Sequence, residues 1–428
     1  LHLNFISNQG FIMNRRSFIA TTGASVVSWN AFAAPSEKVN IGIMGAGGRG
    51  TALAKSFSKI PGVQIGFIAD PDFNRATNAA GEVEKISGKA PKVDKDFRKI
   101  LDDKDIDVFV CAACNHWHAP STILAVKAGK HTYVEKPCSH NPREGEIMVE
   151  AAAKYNKLVQ MGNQRRTWPK IREAIDLIHK GEIGETHLAQ SWYLNSRPSI
   201  GKGIEKPVPA GLDFDLWQGP APRKAYKDNY LHYNWHWFWH WGNGELGNNG
   251  IHLIDVCRWG LGVEFPTSVH SSGGRYMYKD DQETPDTHMV EFNFNQGKHI
   301  QWLGLSCNRL PEGNTPDILF VGSKGTIAIK GSGYIVYDSK GKETKKATGD
   351  GGESEHLANF ILAVRGNGKL NSPIPEGHKS TLLCHLGNIS QRVGRTLKCD
   401  PANGAVLNDP EAKKMWTREY EPGWEPKL

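Results

Sequence analysis

Between residues 39 and 162, short apolar runs alternate with longer stretches whose apolar positions recur every three to four residues. The runs at 39–45, 63–70, 107–112, 131–135 and 158–161 read as buried strands, and 48–58, 73–87, 118–128 and 142–156 as helices. This alternation predicts α/β architecture: a doubly wound parallel sheet with helices on both faces and ligands at the carboxyl ends of the strands. After one more helix at 169–180 the texture changes. Strand-like runs at 185–194, 266–277, 286–295, 298–306, 317–322, 325–330 and 334–338, joined by short Gly or Asn turns, predict a large, mostly antiparallel sheet in an α+β domain. Segment 195–247 is too long and irregular for a simple connector and reads as a functional loop. Helices at 354–366 and 376–397 follow, then a tail carrying Trp416 and Trp424.

The first strand runs straight into Gly45-Ala46-Gly47-Gly48-Arg49-Gly50, and a second strand ends in Asp70, twenty residues beyond Gly50. This is the dinucleotide fingerprint of a Rossmann sheet. Gly45 allows a tight turn, Gly47 lets the backbone approach a pyrophosphate, and Gly50 lets the helix pack closely on the sheet. The pyrophosphate is expected at the positive end of that helix. Asp70 is placed to accept hydrogen bonds from the adenosine ribose, and its charge repels a 2′-phosphate, so NAD is expected rather than NADP. The domain division follows: a Rossmann domain at 34–162, a substrate and oligomerisation domain at 163–397, and a tail at 398–428.

Composition adds limits. Two domains are natural for 428 residues, and 39% hydrophobic with 23% charged residues is an ordinary globular balance. No apolar run is long enough to span a bilayer. The net charge of +7, from 52 basic and 45 acidic residues, is spread without blocks, which speaks against a nucleic-acid partner. Asn14-Arg15-Arg16-Ser17-Phe18-Ile19-Ala20 opens a weakly apolar stretch ending at Ala31-Phe32-Ala33. That is the pattern of a twin-arginine export signal, so residues 1–33 are expected to lie outside the fold, with Met13 as the start and a periplasmic location. Seven cysteines without framework spacing exclude a disulfide scaffold. Cys111-Ala-Ala-Cys114 closes a buried strand and reads as small core residues rather than a redox pair.

Glu135-Lys136-Pro137 follows the strand at 131–135, where a side chain faces the nicotinamide end of a dinucleotide. Here the sequence strongly resembles the glucose–fructose oxidoreductase/inositol dehydrogenase (Gfo/Idh/MocA) family. Gly129-Lys130-His131-Thr132-Tyr133-Val134-Glu135-Lys136-Pro137 carries the family signature. Asn115-His116-Trp117-His118, Gly162-Asn163-Gln164 and Gly250-Ile251-His252-Leu253-Ile254-Asp255 extend the resemblance over nearly the whole mature chain. It implies that Asn115, His118, Glu135, Lys136 and Asn163 join the glycine turn around the cofactor, and that the protein forms a homo-oligomer through the open face of its second sheet.

Hydride transfer from a carbinol carbon requires removal of the hydroxyl proton. Lys136 suits that task if burial lowers its pKa, and the family lysine has that role. His252, expected to begin an amphipathic helix, shares a face with Asp255, and an imidazole oriented by a carboxylate is a competent base. The resemblance also makes His252 a catalytic, substrate-contacting residue. Many family members have an aspartate four residues earlier; this chain has Asn248, which can position a hydroxyl but cannot take its proton. Trp235, Trp237, Trp239 and Trp241 alternate with His236, Phe238 and His240, so an extended chain puts all four indoles on one side. They form either a sugar platform, with His236 beside Trp235, or an aromatic seal between domains or subunits. Gln164 completes the expected substrate contacts. No cysteine or carboxylate cluster completes a tetrahedral set around His116 and His118 or His236 and His240, so no metal is expected.

The leading expectation is a nicotinamide-dependent oxidoreductase acting on a sugar, cyclitol or glycoside. Because the periplasm holds little free NAD, the cofactor is expected to be tightly bound and recycled in each turnover. The alternatives are an NAD-dependent glycoside hydrolase or isomerase working through a transient keto-sugar, and an exported non-catalytic sugar-binding protein. The intact Lys136 favours the oxidoreductase, since the family's hydrolases replace that lysine.

Overall fold

A computed structural model describes residues 38–428 apart from 311, 312 and 314; the proposed export signal lies outside the described residues. The first sheet has six parallel strands: β1 Val39–Met44, β2 Val63–Ala69, β3 Lys92–Asp94, β4 Val108–Cys111, β5 His131–Val134 and β6 Val159–Met161, in the order β3-β2-β1-β4-β5-β6. Helices α1 Gly48–Phe57, α2 Phe73–Ser87, α3 Arg98–Asp102, α4 Asn115–Lys127 and α5 Pro142–Lys154 connect them. The order reverses between β1 and β4, so the carboxyl ends of these two neighbours open the crevice where such sheets bind ligands. Local chemistry agrees with the helix starts: Asp72 caps α2 through the Asn74 amide, and Asn141 caps α5 through the Glu144 amide ahead of Pro142.

Helix α6, Pro169–His179, leads into a nine-stranded sheet. Its strands are β7 Thr186–Leu194, β8 Ser268–Gly274, β9 Thr287–Asn293, β10 His299–Leu305, β11 Ile318–Gly322, β12 Gly325–Lys330, β13 Gly333–Asp338, β14 Glu343–Ala347 and β15 Leu397–Lys398. The order is β14-β13-β12-β11-β7-β10-β9-β8-β15, antiparallel except for β7 beside β10. Between β7 and β8 stand α7, Phe214–Gln218, and α8, Ile251–Leu261. One sheet face packs on α6, α8 and α10 (Ile374–Val393) through residues such as Ile175, Ile254, Phe320 and Leu383. The opposite face carries alternating residues such as Trp192, Met289 and Leu303.

Two returns of the chain stitch the halves together. Helix α9, Glu353–Val364, buries Leu357, Phe360 and Ile361 in the Rossmann core beside Phe57 and Tyr133. Each such side chain stabilises by roughly 1.5–3 kcal/mol. The tail, with α11 at Pro410–Lys414, then lays Trp424 edge-on against Trp117 and hydrogen-bonds Tyr420 to Glu144 at 3.0 Å.

The aromatic segment departs from expectation. It is not extended: Asn234–Trp237 is a 3-10 turn, because Phe238 and Trp241 fold inward and bury with Tyr230 and Trp217, while buried Trp237 packs against Tyr233. The four indoles therefore do not share one side. Helix α8 is also not amphipathic. It follows a π-helical turn at Leu246–Gly250 and is buried almost all round.

Candidate active site

The cofactor end is built by the turn from β1 to α1. Gly45 adopts φ +90°, and a Cβ there would lie 2.7 Å from the Ala112 backbone; one on Gly50 would lie 1.7 Å from the Gly45 carbonyl oxygen. Only glycine lets these segments meet. Gly47 caps α1 without a side-chain bond, which leaves the first-turn amides free for an anion. Asp70 accepts from the Ala46 amide at 2.6 Å and the Asp72 amide at 2.9 Å, and it lines the cleft with lone pairs to spare. Burial raises its pKa despite those bonds. Uncapped amides, a glycine-only turn and a buried acid at the next strand end fit a dinucleotide. This cleft, about 660 Å³, continues from Gly45, Gly47, Gly48 and Arg49 to Lys136 and His252.

At the other end, Lys136 leaves β5 and its Nζ donates to the Asn248 carbonyl at 2.7 Å and to Asn248 Oδ1 at 3.0 Å. Burial lowers its pKa, partly opposed by Glu135. Glu135 accepts from Arg49 Nε at 2.7 Å; burial pushes its pKa up, but Arg49 and Lys136 together bring it below the usual value. His252 lines the same cleft, and among the described residues its ring has no hydrogen-bond partner. Burial, then Lys136, holds its pKa well below the ordinary value. Gln164, Trp235 and His236 share this wall, with Trp235 stacked on His236 at 3.6 Å between ring centres. Burial lowers His236 to about 3. Asn115, on the wall, donates to Asn243 at 3.0 Å, and His118 faces the carbonyls of Pro137 at 2.5 Å and Ala113 at 2.9 Å.

Ala46, Gly50, Asn163 and Asp255 stand behind the wall rather than on it. Asn163 is buried, with neither side-chain amide atom bonded within the described residues. Asp255 is the substantive correction, because it does not orient His252. It takes Arg166 in a bidentate pair at 2.8 and 2.9 Å and accepts from Ser380 at 2.6 Å, which ties α8 to α10. A guanidinium offers two donors in fork geometry, so it outcompetes a single imidazole for a buried carboxylate. The cysteine pair is also placed differently: Cys111 ends β4, but Cys114 caps α4 and lines the cleft. Burial pushes Cys111 to about 11 and Cys114 well above its ordinary value, so neither is a ready thiolate.

Several wall residues escaped the sequence reading. Glu353, from α9, meets Arg49 Nη1 at 2.5 Å across a separation no local pattern reveals. Trp217, His232 and Tyr233 come from the long segment after β7, and Trp168 precedes α6. That segment crosses the cofactor end at Gly211, whose carbonyl accepts from the Phe73 amide at 3.4 Å, and at Asp213. The Asp213 amide donates to the Pro71 carbonyl at 2.9 Å, and Asp72 pairs with Leu212 as a β-bridge.

Residues 39–163 match the family described as Oxidoreductase family, NAD-binding Rossmann fold, and residues 199–425 match Oxidoreductase family, C-terminal alpha/beta domain. Similar proteins include an uncharacterized oxidoreductase, YrbE, of Bacillus subtilis, 26% identical over 61% of this chain and 65% of that protein. Inositol 2-dehydrogenase 4 of Saccharopolyspora erythraea is 29% identical over 37% and 46% of the two chains. A glycosyl hydrolase family 109 protein of the same organism is 27% identical over 45% of each. The matches thus span about half to two thirds of these relatives. Among solved structures, levoglucosan dehydrogenase with NADH and levoglucosan shares the fold at TM-score 0.67 and 19% identity, covering 85% of this chain and 99% of that one. Aldose-aldose oxidoreductase from Caulobacter crescentus does so at TM-score 0.65 and 19% identity, covering 85% and 100%. With family models matching residues 39–163 and 199–425, the chain belongs to the Gfo/Idh/MocA oxidoreductase family, and its cofactor is NAD.

Proposed function

We propose that the protein moves a hydride between NAD and a hydroxyl-bearing carbon of a sugar, cyclitol or glycoside. The observation that carries this reading is the amine of Lys136, aimed by Asn248 in the same cleft as the glycine turn. Bound NAD supplies the hydride acceptor. Lys136, with its pKa lowered by burial, receives the hydroxyl proton as the carbinol becomes a carbonyl. His252, neutral and unpartnered among the described residues, holds the same hydroxyl or its neighbour. Asn248 orients the amine and takes no proton.

The twin-arginine pattern in residues 14–33 makes the protein an exported, periplasmic one in this reading. The cofactor would then stay bound, and a second, carbonyl-bearing sugar would take the hydride back from it and the proton from Lys136. The crossing of Leu212 and Asp213 over Asp72 and Pro71 supports retention, as does the His232–Asp72 pair at 3.5 Å. Release and quantification of nucleotide from the purified native protein tests this. Near-stoichiometric NAD is expected, and an empty protein that turns over only with added NAD ends the closed-cycle reading.

A second reading, glycoside cleavage through a transient keto-sugar, draws on the glycosyl hydrolase family 109 relative. Assaying an aryl glycoside against free sugars separates the two. We further propose that a second copy covers the open face of the nine-stranded sheet, where Met289 is 56% exposed; sedimentation of the native protein reads this directly.

A further inference from the structure

We infer that the cleft selects an uncharged polyhydroxylated substrate, an unphosphorylated sugar or glycoside, over anionic counterparts such as uronates and sugar phosphates. The inference rests on the sugar reading above and sharpens it.

The argument is one of charge matching around Lys136. Two arginines, Arg49 and Arg197, stand near it and a third, Arg165, lies near His252, and each already has its own carboxylate. Arg49 lies between Glu135 and Glu353, at 2.7 and 2.5 Å. Arg197 donates Nε to Glu245 at 2.9 Å and gives further bonds to the hydroxyls of Tyr233 and Tyr193, at 3.0 Å each. Arg165 meets Asp317 at 3.1 Å. Four carboxylates thus face three guanidinium groups, leaving Lys136 as the fourth cation. Whenever Lys136 is free to accept a proton, its surroundings carry an excess negative charge. Arg75 does not alter this, because it sits at the adenosine end, 3.9 Å from Asp72.

The imidazoles do not supply the missing charge. Burial keeps His118, His236 and His252 below their ordinary pKa, so all three are neutral near pH 7. A carboxylate or phosphate entering here leaves water without meeting an unmatched side-chain cation, which is unfavourable. What the cleft does offer is unsatisfied hydrogen-bonding capacity. His252 is on the wall, and its imidazole has no hydrogen-bond partner among the described residues. Gln164 adds an amide, and Trp235 an aromatic surface. Such a set suits hydroxyls and C–H faces.

The test uses the holoenzyme and matched pairs: glucose with glucuronate, galactose with galacturonate, and glucose with glucose 6-phosphate. Reduction of the bound cofactor and binding by tryptophan fluorescence are both measured. The neutral member of at least one pair is expected to bind and react, with its anionic partner weaker by about tenfold or more. Gln164→Arg, which adds a cation with no carboxylate, is expected to bring the uronate toward parity. An anion that binds as well as its neutral partner overturns this inference while leaving the sugar reading standing. Failure of every pair to bind the cofactor-loaded protein overturns both.

Discussion

The amine of Lys136 is clasped by one residue: it donates to both the backbone carbonyl and the side-chain oxygen of Asn248, at 2.7 and 3.0 Å. An amide there orients the lysine without adding charge, so burial decides its protonation. Asn248→Asp would put a carboxylate on the amine and favour the ammonium. The alcohol-oxidising rate, which needs the free amine, should then rise only at higher pH, with its midpoint moved up by about one to three units. The pH dependence of kcat/KM reads this, and an unmoved midpoint removes Lys136 as the titrating group.

Lys136→Ala removes the proton acceptor but none of the glycine turn. Turnover should fall by about 10²–10⁴-fold while NAD affinity stays nearly intact. Single-turnover kinetics beside a cofactor titration make the comparison, and retained turnover takes the residue out of the mechanism.

Asp255→Asn breaks a buried pair with Arg166 and should cost about 3–5 kcal/mol of stability. Because Asp255 does not touch His252, the shape of the pH–rate profile should stay as in the parent. Denaturant melts and rate profiles on the same variant distinguish this anchoring role from a catalytic one.

The glycines of the turn divide by space. Gly50→Ala forces a Cβ to 1.7 Å from the Gly45 carbonyl oxygen and should cost both stability and NAD binding. Gly48→Ala meets nothing within 4 Å, so its melting temperature should match the parent.

Glu376 yields a pH prediction for stability. Burial alone would raise its carboxyl, but Arg258 and Arg166 overcome that and hold it at about 2, below its ordinary 4.5. A lowered folded pKa means the contribution is complete above about 4.5 and fades as pH falls toward 2. The gap in melting temperature between parent and Glu376→Gln should therefore be widest above pH 4.5 and shrink below it.

Much of this molecule was readable before its structure. Apolar runs such as Val63–Ala69 and Val108–Cys111 mark interior strands, since a sheet buried on both faces leaves no polar option. Lys92–Asp94 and Glu343–Ala347 were missed because edge strands need no apolar alternation; the latter reads Glu-Thr-Lys-Lys-Ala. Lys136 and the glycine turn were legible because their chemistry is local in sequence. Glu353 was not, since its partner Arg49 lies 304 residues away. Asp255 misled for a related reason: helical spacing places it beside His252, yet a guanidinium brought in by another segment claims it.

Helix α9 carries a consequence for recombination. Leu357, Phe360 and Ile361 fill the first sheet's core, and Glu353 closes its cofactor turn. The nucleotide-binding half is therefore not a cassette. A fragment cut after residue 163 would leave Phe57 and Tyr133 open to water and Arg49 lacking one of its two counterions, so a chimera must carry both non-contiguous pieces to inherit a working cofactor site.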